Sequence, residues 1–191
     1  KEGEETIIVA KPAEEELLSR YKKQNLFHVY LSYSNLNHVV KKTGSPEVTV
    51  DLAPLIGLNF EAIFPVADIN FIAGFRYNLP SALSMSGVKI TELTISGPYA
   101  NISKRMIEKP FGNRNLNLDI GAGLNYSYYS GDKISITGGV GFQYYAELAY
   151  KTENQYNILR LGYLVNNGRG SNQNNYTNSG LFVTGGLVYK L

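Results

Sequence analysis

The sequence predicts an all-β fold: an eight-stranded antiparallel up-and-down barrel crossing a membrane, with a short helix ahead of it. Three observations carry this. Between Asn115 and Lys151 apolar and polar residues alternate strictly along two long stretches joined at Ser130-Gly131-Asp132. The polar side of that alternation holds Gly, Ser, Thr, Asn and Gln, with one charge per stretch, Asp119 and Glu147. The chain as a whole is aromatic and glycine-rich, with 15 Tyr, 8 Phe and 19 Gly against 2 Met, a bias that suits strands rather than helices. Period two places alternate side chains on opposite faces of a strand.

Length and charge narrow the class. A chain of 191 residues is enough for one small barrel. A formal net charge of +2 does not suggest a nucleic-acid partner. The absence of cysteine excludes disulfides, thiolate metal sites and a cysteine nucleophile. No apolar run is long enough for a transmembrane helix, and no signal peptide opens the sequence, so an exported form has Lys1 at or after a cleavage point.

Residues 1–25 read as an extension on the periplasmic side, with a short helix from Pro12 through Leu17 and Leu18 to Lys22-Lys23. Residues 26–191 read as the barrel. Its first strand spans Leu26 to Asn35, with Phe27, Val29, Leu31 and Tyr33 on the apolar face. The second places Val48, Val50, Leu52, Ile56, Leu58, Phe60, Ala62 and Phe64 on one face, with a bulge or bend expected at Pro54. A tight turn at Pro65–Asp68 leads into the third, with Phe71, Phe75 and Tyr77 on its apolar side. The fourth strand is expected near 87–97, ended by Gly97-Pro98, with 98–114 as a long basic connection. The central pair supplies strands five and six. In the sixth, Ile134, Ile136, Val140 and Phe142 share a face. The seventh spans Tyr156 to Val165, a loop of Asn, Gly, Ser and Thr fills 166–180, and Leu181 to Leu191 closes the barrel.

The same alternation fits two opposite objects, a soluble lipocalin-like carrier with its apolar face inward and a membrane barrel with that face on lipid. Water-facing strands carry many charges. Here the polar face is small and mostly uncharged, as a narrow lumen requires. Lys or Arg in mid-bilayer costs about 2–4 kcal/mol, and the apolar faces of strands one, two, three, five, six and eight contain no charged residue. Lipid therefore lies outside.

Leu181, Val183, Leu187, Tyr189 and Leu191 alternate to the last residue, with an aromatic third from the end. That resembles the C-terminal signal read by the outer-membrane assembly machinery, with Leu191 where Phe is usual. With the strand count and Asn-rich connections, residues 26–191 resemble the small OmpA/OmpX-like barrels. The resemblance implies a monomer in a bacterial outer membrane, in contact with outer-membrane lipids and lipopolysaccharide. It implies a partner of unknown identity at the surface loops. It implies no cofactor.

Charged residues on the polar parity are His28, Asp51, Glu61, Arg76, Asp119, Glu147, Arg160 and Lys190. Buried charges left unpaired cost several kcal/mol each, so Glu61, Arg76, Asp119, Glu147 and Arg160 are expected to form one lumen network, as filling or as a narrow gated ion path. Some small barrels instead modify lipid A or phospholipid with His, Ser and an acid. The deacylase pattern His-x-Ser is absent, since Tyr30 follows His28 and Val40 follows His38. Ser32 shares a face with His28 but lies about 13 Å along the strand. No catalytic set and no metal site is assigned. The sequence favours a non-catalytic barrel acting through its surface loops, in adhesion, surface interaction or envelope integrity.

Overall fold

The computed structural model describes residues 26–42, 44–132, 136–151, 155–170 and 174–189. The N-terminal extension with its expected helix lies outside them. Ten strands form one closed antiparallel ring: β1 (Leu26–Lys42), β2 (Val48–Leu52), β3 (Leu55–Val66), β4 (Ile69–Asn78), β5 (Ser81–Met85), β6 (Val88–Glu108), β7 (Leu116–Ser130), β8 (Ile136–Lys151), β9 (Gln155–Gly170) and β10 (Asn174–Tyr189). β2 with β3, and β4 with β5, are each one barrel strand broken at a proline, Pro54 or Pro80. The barrel is therefore eight-stranded, and pairing of β10 with β1 closes it.

A belt of outward apolar side chains circles the barrel: Phe27, Leu31 and Tyr33, then Ile56, Phe60 and Phe64, Phe71 and Phe75, Ile102, Ile120 and Leu124, Val140 and Phe142, Leu159 and Leu161, and Leu181 and Val183. Inward at the same level stand His28, Ser32, Asn59, Glu61, Arg76, Asn101, Ser103, Gln143, Glu147, Arg160 and Thr184, all buried. Water would not tolerate such a belt, whereas hydrocarbon stabilises each large side chain by roughly 1.5–3 kcal/mol. This sidedness is opposite to that of a lipocalin-like carrier.

Beyond the belt the strands continue, and the polarity of the wall inverts. On β1 the outward residues become Asn35 and Asn37 while Leu36 turns inward. On β6 the outward residues become Ser96, Thr94 and Glu92, and Leu93 and Ile95 point inward. On three strands the inversion comes from a shift of one residue. Ile56 and Leu58 face out on β3, yet Val50 and Leu52 face in on β2 and Asp51 faces solvent. The expected shared face of Val50 and Ile56, and the lumen position of Asp51, are thus corrected. Pro54 has no N–H for the ladder, so the chain takes one extra residue there. Across the break Ala53 N–H still reaches Ala82 O at 2.9 Å. β4 and β5 repeat the device at Leu79-Pro80: Arg76 and Asn78 face in, then Ser81 and Leu83. On β8 a register shift at Gly138–Phe142 separates buried Ile136 from exposed Val140, which the alternation had placed together.

Two further expectations change. The fourth barrel strand does not stop at Gly97-Pro98; β6 runs to Glu108, with Pro98, Ala100 and Ile102 outward and Tyr99, Asn101 and Ser103 inward. Pro98 fits because β6 pairs with β7 at Ser96 and again at Tyr99 but not between them. The described residues of the expected loop, 166–170 and 174–180, are strand instead: Asn166 pairs with Asn178, Asn167 with Thr177 and Arg169 with Asn175. Their Asn and Thr side chains suit the outside of a wall in water. Outer-membrane barrels put short turns in the periplasm and longer excursions outside. The two-residue turn Ala67-Asp68, just below the belt, therefore marks the periplasmic end. The strand extensions form the outer end.

Candidate functional site

Inside the belt the strand alternation aims polar side chains from all eight barrel strands at one axis. β9 supplies Arg160, and its cross-strand partner on β8 is Glu147. β3 supplies Glu61. The Arg160 guanidinium donates to Glu61 Oε1 at 2.5 Å and to Glu147 Oε2 at 2.6 Å, and its Nε reaches the latter at 2.9 Å. It lies 4.3 Å from the centroid of the Tyr145 ring. The Tyr99 hydroxyl donates to Glu61 Oε1 at 2.7 Å. Two glycines make room for these rings. A Cβ on Gly74 would strike Tyr99, and one on Gly121 would strike Tyr145.

Arg76 stands apart from that triad. It donates to Gln143 Oε1 at 2.9 Å and to Asn59 Oδ1 at 3.2 Å. Gln143 passes a bond to Asn101 at 2.8 Å, and Asn59 one to Thr184 at 3.3 Å. Arg76 is held by amides, with the Tyr99 and Phe182 rings each 5.4 Å away. Formal charge balances at this level, two arginines against Glu61 and Glu147. Asp119, directly across from Glu147 on β7, lies 3.8 Å from Arg105. The structure thus joins three of the five anticipated residues directly. It holds Arg76 through neutral partners and pairs Asp119 with a residue assigned from the sequence to a connection. Tyr99 and Arg105 were missed for that reason; the alternation of Pro98, Ala100 and Ile102 was the available signal. Gln143 and Asn59 were overlooked because only charges were collected.

Above the network lies an amide layer in which Asn125 and Ser127 both donate to Asn166 Oδ1 at 2.8 Å. A cavity of about 10 Å³ beside Arg76, Asn78 and Tyr99 is the size of about one water. Higher still, the inverted wall closes on an apolar core of Leu36, Val50, Leu52, Leu55, Leu83, Leu93, Ile95, Ile136, Leu164 and Phe182. Within it His38 bonds Asn178, whose amide donates to the Tyr129 hydroxyl at 3.0 Å, and Tyr176 lies against the imidazole at 5.7 Å. Burial holds the His38 imidazole below its ordinary value of 6.5, partly opposed by the bond to Asn178. An apolar layer thus lies beyond the polar lumen on its outward side.

No protein-family model matches the chain, and no curated protein matches it significantly. Solved structures do. Neisserial surface protein A is similar at 16% identity with a TM-score of 0.54, over 85% of this chain and 97% of that one. Ail, the attachment invasion locus protein of Yersinia pestis, aligns at 12% identity with a TM-score of 0.40, over 85% and 98%. The toluene transporter TodX of P. putida aligns at 14% identity with a TM-score of 0.32, over 90% and 60%. At these identities the likeness to Neisserial surface protein A speaks for the fold.

Proposed function

We propose that this chain, which has the fold of the small OmpA/OmpX-like barrels of bacterial outer membranes, is a closed, non-catalytic barrel. It works by presenting the outer extension of its strands at the cell surface, in adhesion or another surface interaction. The observation that carries this reading is the inversion of the wall. An apolar core across the outer mouth opposes ion passage, while the polar outer face above the belt is a rigid β-surface available to partners. On that face Asn167, Arg169, Asn175, Thr177 and the glycine pair Gly138-Gly139 line a hollow of about 380 Å³. Both histidines are fully buried, which disfavours a lipid-modifying activity needing an imidazole at an acyl ester.

Two measurements test the reading. In planar bilayers the purified protein is expected to give no resolved conductance steps, whereas Leu93→Ser with Leu36→Ser opens them. Steps from the unaltered protein at the same protein load contradict the closed barrel. Cells displaying the protein are expected to bind a host-surface or matrix array, and to lose that binding when Arg169, Asn175 and Thr177 are replaced by Ala in a correctly assembled barrel. Binding that survives those replacements refutes the role of this face. Release of acyl chains from lipid would instead identify an enzyme.

A further inference from the structure

The hairpin joining β6 to β7 reaches deeper into the periplasmic side than its neighbour. Ile69, at the start of β4, is level with Lys104 on β6, and Arg105 N–H donates to Asp68 O at 3.2 Å, so residues 106–116 project beyond the Ala67-Asp68 turn. Along this hairpin the outward face stays apolar past the level of that turn. A register shift between Arg105 and Ile107 leaves both Met106 and Ile107 exposed, 55% and 48%. The outward neighbours Leu116, Leu118 and Tyr150 continue the surface from the belt. At the tip Phe111 is 95% exposed, the most exposed large apolar side chain in the described residues.

The tip is ordered by its own backbone. Lys109 N–H donates to Leu116 O, Gly112 N–H to Lys109 O, and Leu116 N–H to Asn113 O, at 3.0–3.2 Å. Lys109 and Phe111 both hold left-handed backbone angles, with φ of 56° and 59°, which L side chains rarely adopt. A bulky residue in that conformation, aimed into solvent, points to a surface that receives it. Around it stand cations. Lys104 lies 3.8 Å from Asp68, and Arg105 near Glu108 and Asp119, but among the described residues neither Lys109 nor Arg114 has an acidic partner.

We propose that this hairpin is an anchoring site for anionic phospholipid in the periplasmic leaflet, with Phe111 inserted at the headgroup boundary and Lys109 and Arg114 on the phosphates. Two features select that occupant over a protein. The apolar strip is continuous with the lipid-facing belt, and the unpaired charge at its rim is positive, as an anionic headgroup layer requires. Apolar side chains flanked by cations are the arrangement of interfacial binding elements. The site is separate from the outer face proposed above and stands independently of it.

The chain contains no Trp, so Phe111→Trp places a single reporter at the tip. In vesicles of phosphatidylcholine and phosphatidylglycerol, its emission should be blue-shifted and quenched by lipids brominated near the headgroup. Brominated phosphatidylglycerol should quench more than brominated phosphatidylcholine at equal fraction, reflecting a local preference on the order of fivefold per cation. Lys109→Gln with Arg114→Gln should bring the two quenchers level. A water-like, unquenched emission overturns the proposal and leaves a periplasmic protein or a second copy as the occupant. Equal quenching before and after the charge removal overturns the anionic preference. If Phe111→Trp fails to show the heat-dependent gel shift of a folded barrel, Phe111→Cys carrying a nitroxide decides the matter. Oxygen should then reach the probe more readily than a water-soluble nickel chelate, and the reverse order overturns insertion.

Discussion

Replacing Arg160 by methionine leaves Glu61 and Glu147 in the lumen without the cation that joins them, while filling similar space against the Tyr145 ring. Arg160 makes four hydrogen bonds to those two carboxylates, at 2.5, 3.2, 2.6 and 2.9 Å. All three side chains are buried, at 2%, 0% and 3% exposure. The Tyr99 hydroxyl still serves Glu61, but no amide substitutes for a guanidinium shared by two acids. Removing one partner of a buried ionic cluster costs about 3–5 kcal/mol, much of it the desolvation of the charge left behind. Urea titration of the barrel refolded into vesicles, followed by the heat-dependent gel shift, should show that loss with an unchanged m value. Because the cost lies in the stranded charges, Arg160→Met combined with Glu61→Gln and Glu147→Gln should recover most of it. A single variant costing less than about 1 kcal/mol, or a triple variant as unstable as the single, would refute the reasoning.

Other outcomes follow from the same geometry. Leu93→Ala removes a fully buried side chain from the outer core and should cost about 2–5 kcal/mol in the same titration, against a few tenths for Thr94→Ala on the outward face. Phe60→Arg places a cation in the belt and should lower stability by up to about 2–4 kcal/mol, while Asp51→Arg, in water beyond the Pro54 shift, should stay within about 0.5 kcal/mol. His38 is neutral in the apolar core and its folded value is depressed, so the unfolded chain binds the extra proton. Stability should then be level above the unfolded value of about 6.5 and fall as pH drops from there toward the folded value. Burial raises the Tyr129 hydroxyl, which shares Asn178 with His38, well above its ordinary value. Measured in the titration, His38→Leu should remove that slope, and a slope unchanged by the substitution would assign it elsewhere.

The belt was legible because every belt strand obeys one rule, apolar out and small or polar in, and period two registers it without knowledge of neighbours. The outer extension was not, for two physical reasons. A one-residue shift at Pro54, at Pro80 or at the Gly138 bulge exchanges the faces, and alternation by residue number cannot follow it. Where no shift occurs, as on β9 and β10, polar Asn, Ser and Thr cover a wall that stands in water. Such a stretch has a loop's composition and a strand's hydrogen bonds. The lumen was half legible: parity named Glu61, Glu147 and Arg160, but which partners meet depends on stagger between strands distant in sequence. Tyr99 and Arg105 were hidden by reading Gly97-Pro98 as an end, although the ladder resumes at once.

The inversion of the wall is tested most directly by single cysteines in this cysteine-free chain, at Asp51, Leu52 and Leu58 along one barrel strand. In intact vesicles a water-soluble maleimide should label position 51 rapidly and spare 52 and 58. A fluorophore at 58, attached before refolding, should be quenched by nitroxide lipids, and one at 51 should not. Rapid aqueous labelling at 52 with protection at 51, so that 51 and 58 no longer differ in their surroundings, would contradict the account.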